Sequence, residues 1–215
     1  MASIISYQEV QNNDHLIVMG AGPSINQNIN RIKDWQQEKK AIVIGTNYKY
    51  KIFTDYVVFI DNKIYQVRKK EVIGKLIVGQ RVHWKSDKTL YDRILVIKHK
   101  KTPSYLYTKN IKISSTGFIN HETGSAGFAA LLISGFFNPK EILVAGLDGP
   151  SKKTMKHFAS PTKTLKNKNK KWFRNNIYYF LKVITFLKKK KINILSFKND
   201  NFWGIDRNKA GVTFL

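Results

Sequence analysis

Apolar residues in this chain recur at two spacings that alternate along it. Leu16-Ile-Val-Met19 is a short run apolar on both faces, and it passes through Gly20-Ala-Gly-Pro-Ser24 into a segment where Ile25, Ile29, Ile32 and Trp35 fall at i, i+4, i+7 and i+10. The first pattern predicts a buried strand, the second a helix with one apolar stripe. Ala41 to Thr46 and Asp55 to Ile60 repeat the strand pattern and deliver Asn47, then Asp61 and Asn62, at their carboxyl ends. Lys75 to Val78 and Arg93 to Ile97 predict two shorter strands without a strong helix between them. Ala126 to Ser134 carries no charge, which predicts a helix buried all round, and Gly135 and Pro139 mark its exit. Glu141 to Leu147 is another buried strand, ending at Asp148-Gly-Pro150. A long helix follows, apolar at Phe173, Ile177, Phe180, Leu181, Ile184 and Leu187, and Ile192 to Phe197 makes a last strand. The tail from Trp203 to Leu215 carries no pattern of its own.

Strands apolar on both faces and alternating with helices predict an α/β fold whose mostly parallel sheet is covered by helices on both faces. In such sheets ligands gather outside the carboxyl ends of the strands. The ends here offer a glycine turn, an amide at Asn47, an acid-amide pair at Asp61 and Asn62, and Asp148. A single domain over residues 1–215 is expected from the length of 215 residues and the 42% hydrophobic content. Residues 149–199 hold fifteen Lys or Arg and no Asp or Glu, and 149–171 reads as a basic lid-like loop.

Charge and cysteine content narrow the chemistry. The formal net charge of +24 attracts anions, whether nucleotide phosphates, acidic sugars, nucleic acid or anionic lipid. The absence of cysteine excludes disulfide scaffolds, thiolate metal sites and cysteine nucleophiles. The start of the chain is polar rather than signal-like and no long uncharged apolar run occurs, so a cytoplasmic protein is expected, in a peripheral position at the inner membrane face if the basic C-terminal region meets anionic lipid.

The turn Gly20-Ala-Gly-Pro-Ser24 reads as a phosphate cradle. Gly20 and Gly22 open backbone conformations closed to other residues, Pro23 leads into the helix, Ser24 caps it, and the free N–H groups favour an anion. An ordinary strand-to-helix turn with a capping serine is the alternative. Thr123, Gly124 and Ser125 stand where the apolar helix begins and form a second candidate anion-binding end.

Together, Gly20 to Ser24 after the first strand, Asn47 after the second, and Thr123 to Leu132 followed by Glu141 to Asp148 resemble bacterial sialyltransferases that use CMP-sialic acid. The same stretches are similar to the related Rossmann-like superfamily of motility accessory (flagellin-modifying) proteins and archaeal 6-hydroxymethylpterin pyrophosphokinase. The resemblance covers somewhat under half of the chain. It implies a Rossmann-like domain and glycosyl transfer of a sialic-acid-like sugar from a CMP-sugar to a glycan or glycolipid acceptor. It places Gly22, Pro23 and Ser24 at phosphate, Asn47 and Asn62 at nucleotide or sugar, and Ser125 beside them. It also implies a histidine base beyond the last sheet aspartate, where His157 is the only histidine; His121, beside Glu122, is the second candidate. Where that family shows Thr-Ser-Gly this chain has Gly-Ser-Ala, and the family's two phosphate-binding tyrosines have no clear counterpart in 149–171.

Glycosyl transfer of this kind needs no cofactor and no metal. The alternative is metal-dependent nucleotide pyrophosphoryl transfer, with Mg2+ held at Asp61 and Asp148. A second alternative is a non-catalytic nucleic-acid- or anion-binding protein that uses the basic surface. The partners expected are a nucleotide-sugar donor, the acceptor, and anionic membrane through the basic C-terminal region; nucleic acid is not expected but stays open.

Overall fold

In the computed structural model the described residues are 13–79, 93–96, 105–107, 112–114, 126–148, 156–157, 160–164, 170–197 and 211–215. The strands are β1 (His15–Met19), β2 (Ile42–Thr46), β3 (Tyr56–Phe59), β4 (Lys75–Gly79), β5 (Arg93–Val96), β6 (Tyr105–Tyr107), β7 (Lys112–Ser114), β8 (Glu141–Ala145), β9 (Lys156–His157), β10 (Ser160–Thr164), β11 (Asn193–Ser196) and β12 (Thr213–Phe214). The helices are α1 (Ser24–Lys39), α2 (Asn62–Arg68), α3 (Ala126–Phe136) and α4 (Lys170–Lys189).

Ten strands form one sheet in the order β12-β11-β8-β1-β2-β3-β4-β5-β6-β7. Its pairings are parallel except those of β6 with β5 and with β7. The α/β reading therefore holds. Two features lay outside it: the short antiparallel β6 and β7, and the tail residues Thr213 and Phe214, which pair with Leu195 and Ser196 as an edge strand. Three residues are too few to show a period, and strand β12 exists only because β11 offers it a free edge.

The sheet is buried on both faces, as its apolar runs predict. Leu16, Val18, Ile44, Val58, Ile142 and Val144 face a core shared with α3 and α4. Ile17, Met19, Val43, Leu143 and Ala145 face α1 through Ile25, Ile32 and Trp35, while Val57 and Phe59 pack with Tyr65 of α2. Each fully buried aliphatic side chain contributes about 1.5–3 kcal/mol, so these two faces hold the fold. Helix α3 is buried along the described part of its length, and it runs past Gly135 to Phe136. On α4, Phe180, Ile184 and Leu187 are buried as expected, joined by Val183 and Phe186, whereas Leu181 is exposed. The buried stripe on α4 is turned away from Leu181 toward Val183 and Phe186.

The lid-like loop expected over 149–171 contains regular structure. β9 and β10 pair antiparallel as a separate two-stranded ribbon, with His157 opposite Ser160. The start of α4 at Lys170 also falls within that range.

Candidate functional site

Chain order along the sheet reverses at β1: β2 to β5 extend on one side of it, and β8 and β11 on the other. Such a switch point opens a crevice at the carboxyl ends of the strands. The glycine turn after β1 and Asp148 after β8 meet there. Gly20 N–H donates to Ala145 O at 2.8 Å and Gly22 N–H to Gly146 O at 2.7 Å, so the turn is laced to the end of β8. The two glycines are needed for this approach and not for unusual torsions, since neither lies in the left-handed region. A Cβ on Gly20 would overlap the Gly146 carbonyl, and one on Gly22 the Asp148 carboxylate.

The start of α1 differs from the expected cradle. Pro23 takes the cap position with φ −66°, no side chain caps the helix locally, and Ser24 is the first helical residue. Ser24 N–H instead donates to Asp148 Oδ2 at 2.9 Å. A carboxylate there is stabilised by the helix dipole, and it supplies from β8 the acceptor that a serine cap would have supplied from within the turn. Ile25 N–H and Asn26 N–H close back on Gly22 O and Pro23 O at 3.4 and 3.1 Å. The amides of Gly22, Ser24, Ile25 and Asn26 are thus all engaged within the protein. What the turn keeps is a side chain: Ser24 is 4% exposed, and its Oγ has no hydrogen-bond partner among the described residues.

Asn47, one strand over, shows the same kind of feature. Its φ is +60°, a left-handed conformation that asparagine adopts more readily than most residues. Its N–H donates to Val58 O at 3.2 Å, and its side-chain Oδ1 is buried without a hydrogen-bond partner among the described residues. Buried polar atoms are almost always paired, so two orphans at neighbouring strand ends mark this edge. Of the other such atoms, Ser196 Oγ lies at the end of β11, and His15 Nδ1 lies at the opposite edge, 3.3 Å from Glu141 Oε2.

Tyr50 holds the two strand ends together, and nothing in the sequence pattern pointed to it. Its hydroxyl lies 3.0 Å from Met19 O, 2.9 Å from Gly20 O and 2.8 Å from Thr46 O, and it accepts from Thr46 N–H at 3.0 Å. Burial pushes its phenol far above the usual range, so the group stays a neutral donor. Its partners are backbone carbonyls of other elements, which no side-chain motif records.

Asp61 caps α2: its Oδ1 accepts from Lys63 N–H at 2.8 Å and Ile64 N–H at 3.3 Å. Asn62 opens that helix, and its Oδ1 accepts from Gln66 Nε2 at 3.4 Å. For magnesium held at Asp61 and Asp148, each carboxylate has one oxygen committed to backbone N–H groups. No group of three or more His, Cys, Asp or Glu gathers among the described residues. The described residues therefore offer isolated carboxylates rather than a cage for a metal–nucleotide complex. His121, Thr123, Gly124 and Ser125 lie outside the described residues, and of His157 only the backbone position in β9 is described.

A family model described as 6-hydroxymethylpterin diphosphokinase MptE-like matches residues 1–154. No curated protein matches the chain. Among solved structures, the MAf glycosyltransferase from Magnetospirillum magneticum AMB-1 is similar to it at 14% identity and a TM-score of 0.46, over 86% of this chain and 31% of that one. This chain thus corresponds to 31% of the length of that structure. With the larger part of its length matched by the family model, including the glycine turn, Asn47, Asp61 and Asp148, the chain belongs to the MptE-like family.

Proposed function

We propose that this chain is a transferase that binds a nucleotide-activated donor across the carboxyl ends of β1, β2 and β8, and that the group it passes on is a sugar carried by CMP. The observation that supports this reading is the pair of buried, unpartnered polar atoms, Ser24 Oγ and Asn47 Oδ1, at adjacent strand ends. Ser24 Oγ is suited to donate to a phosphate oxygen, and Asn47 Oδ1 to accept from a ribose hydroxyl. Transfer leaves negative charge on the departing phosphate, which the Ser24 hydroxyl and the excess of lysines are suited to stabilise. The acceptor hydroxyl must lose a proton, a task for which a histidine titrating near neutrality fits, with His157 as first candidate and His121 as second. Gly20, Gly22 and Pro23 act by shaping the turn, and Thr123, Gly124 and Ser125, which precede Ala126 in sequence, are further candidates for a phosphate contact.

A second reading, diphosphoryl transfer from a magnesium–nucleotide complex to a pterin-like alcohol, draws on the family description. The carboxylates it would call on, Asp148 after β8 and Asp61 after β3, stand three strand spacings or about 14 Å apart, too far to share one ion, so this reading rests on the family description alone.

Calorimetry with CMP, a CMP-sugar and ATP, each with and without magnesium, separates the readings. Metal-independent CMP binding that falls about tenfold in Ser24→Ala, or in Asn47→Gly, is expected. Asn47→Gly keeps the left-handed backbone and Ser24→Ala removes only an unpaired hydroxyl, so both variants fold. Binding of ATP alone, and only with magnesium, favours diphosphoryl transfer. Absence of any nucleotide binding overturns both.

A further inference from the structure

The edge of the sheet opposite the candidate site collects the basic ends of three helices. In a parallel α/β arrangement each helix returns to the amino ends of the strands, so Lys39 and Lys40 after α1, Lys69 and Lys70 after α2, and Lys188 to Lys191 at the end of α4 all come to that edge. Most acids there are matched: Asp14 with Lys140 at 2.6 Å, Glu38 with Lys39 at 2.8 Å, Glu71 with Arg68 at 2.9 Å and Glu141 with His15 at 3.3 Å, while Asp55 is turned inward onto Val43 N–H. Lys40, Lys70 and Lys188 to Lys191 are exposed. Among the described residues they form no ion pair.

Apolar groups protrude beside them. Phe53 is 59% exposed, Val67 69% and Ile73 54%. Phe53 precedes β3 and Ile73 precedes β4, and they are held side by side, since Thr54 Oγ1 donates to Ile73 O. Val67 lies in the last turn of α2. Lys191 and Phe53 stand before β11 and β3, four strand spacings apart, or about 20 Å.

We propose that this edge docks on an anionic lipid surface, the lysines on the headgroups and Phe53, Val67 and Ile73 in the interfacial layer. Lysines near such a surface each add to binding, and exposed apolar side chains add a contribution that salt does not screen. Nucleic acid fits less well, because Val67 and Ile73 are aliphatic and cannot stack on bases. No helix among the described residues is long and apolar enough to cross a membrane, so the contact is peripheral. It turns the carboxyl edge, with Ser24 and Asn47, toward water, and it is independent of what that edge binds.

Co-sedimentation of the full chain with vesicles of phosphatidylcholine mixed with phosphatidylglycerol, compared with phosphatidylcholine alone, tests this. Binding to the anionic vesicles only is expected. Replacing Lys188 to Lys191 together by Gln should weaken it about tenfold or more, and Phe53→Ser with Ile73→Ser about tenfold, with Tm unchanged. Lys63→Gln, on the opposite edge, should leave it as it is. The proposal is overturned if anionic vesicles are not bound, if both edge variants bind as the parent does, or if those variants lose only binding to a single-stranded RNA homopolymer.

Discussion

Ser24 N–H donates to Asp148 Oδ2 at 2.9 Å across 124 residues of sequence, joining the first turn of α1 to the end of β8. The protein's own carboxylate therefore sits where an anion would meet the helix. Asp148→Asn keeps an acceptor of the same size and removes the charge. Under metal-independent binding, affinity for free CMP should rise about threefold or more, because a like charge is gone from beside the phosphate. Under the magnesium reading, affinity for the metal–nucleotide complex should fall instead. Calorimetry with and without magnesium reads the sign.

Gly22 is tied to the same carboxylate. A methyl group there would overlap Asp148, so Gly22→Ala should cost about 1–3 kcal/mol in urea unfolding. Adding Asp148→Gly should recover part of that cost, even though each substitution alone destabilises, since the two residues are in contact. Additive losses in the double variant would place the strain elsewhere.

Tyr50→Phe removes the hydroxyl shared by Met19, Gly20 and Thr46. Buried backbone groups would lose their partner, at about 1–3 kcal/mol of stability. The amide of Thr46, which donates to that hydroxyl, should also exchange with solvent faster than in the parent. An unchanged Thr46 amide would remove the latch role.

Asp55 supplies a pH test. Its Oδ2 accepts from Val43 N–H at 2.7 Å, yet burial dominates and holds its carboxyl above the ordinary value. The folded state therefore binds this proton more tightly than the unfolded chain does. The cost of ionising it is absent at pH below the unfolded value and grows as pH rises through the folded one. Asp55→Asn should raise Tm by about 2 °C at neutral pH, a modest figure because the group is partly exposed. That difference from the parent should shrink as pH falls toward the carboxylate range.

How much of this was legible beforehand follows from the range of the interactions involved. The apolar runs at Leu16 to Met19, Ala41 to Thr46 and Glu141 to Leu147, and the stripe Ile25, Ile29, Ile32 and Trp35, are local patterns, and they translate into β1, β2, β8 and α1 because a strand or helix is defined within its own few residues. The gathering of Gly20, Asn47 and Asp148 at one edge was legible too, as a consequence of parallel topology. The edge strand at Thr213 was not, since its pairing with β11 depends on a neighbour about twenty residues away.

The site itself divides along the same line. By itself the sequence determined that a small-residue turn follows β1 and that polar residues end the strands. Only the tertiary structure decided that Asp148 rather than Ser24 caps α1, that Gly20 and Gly22 serve close approach rather than unusual torsions, and that Asp61 is committed to α2. Only it revealed Tyr50 as the latch and left Ser24 Oγ and Asn47 Oδ1 without hydrogen-bond partners among the described residues. The physical reason is that a hydrogen bond to a backbone carbonyl, or the lack of one, is a relation between distant segments, and no spacing within one segment encodes it.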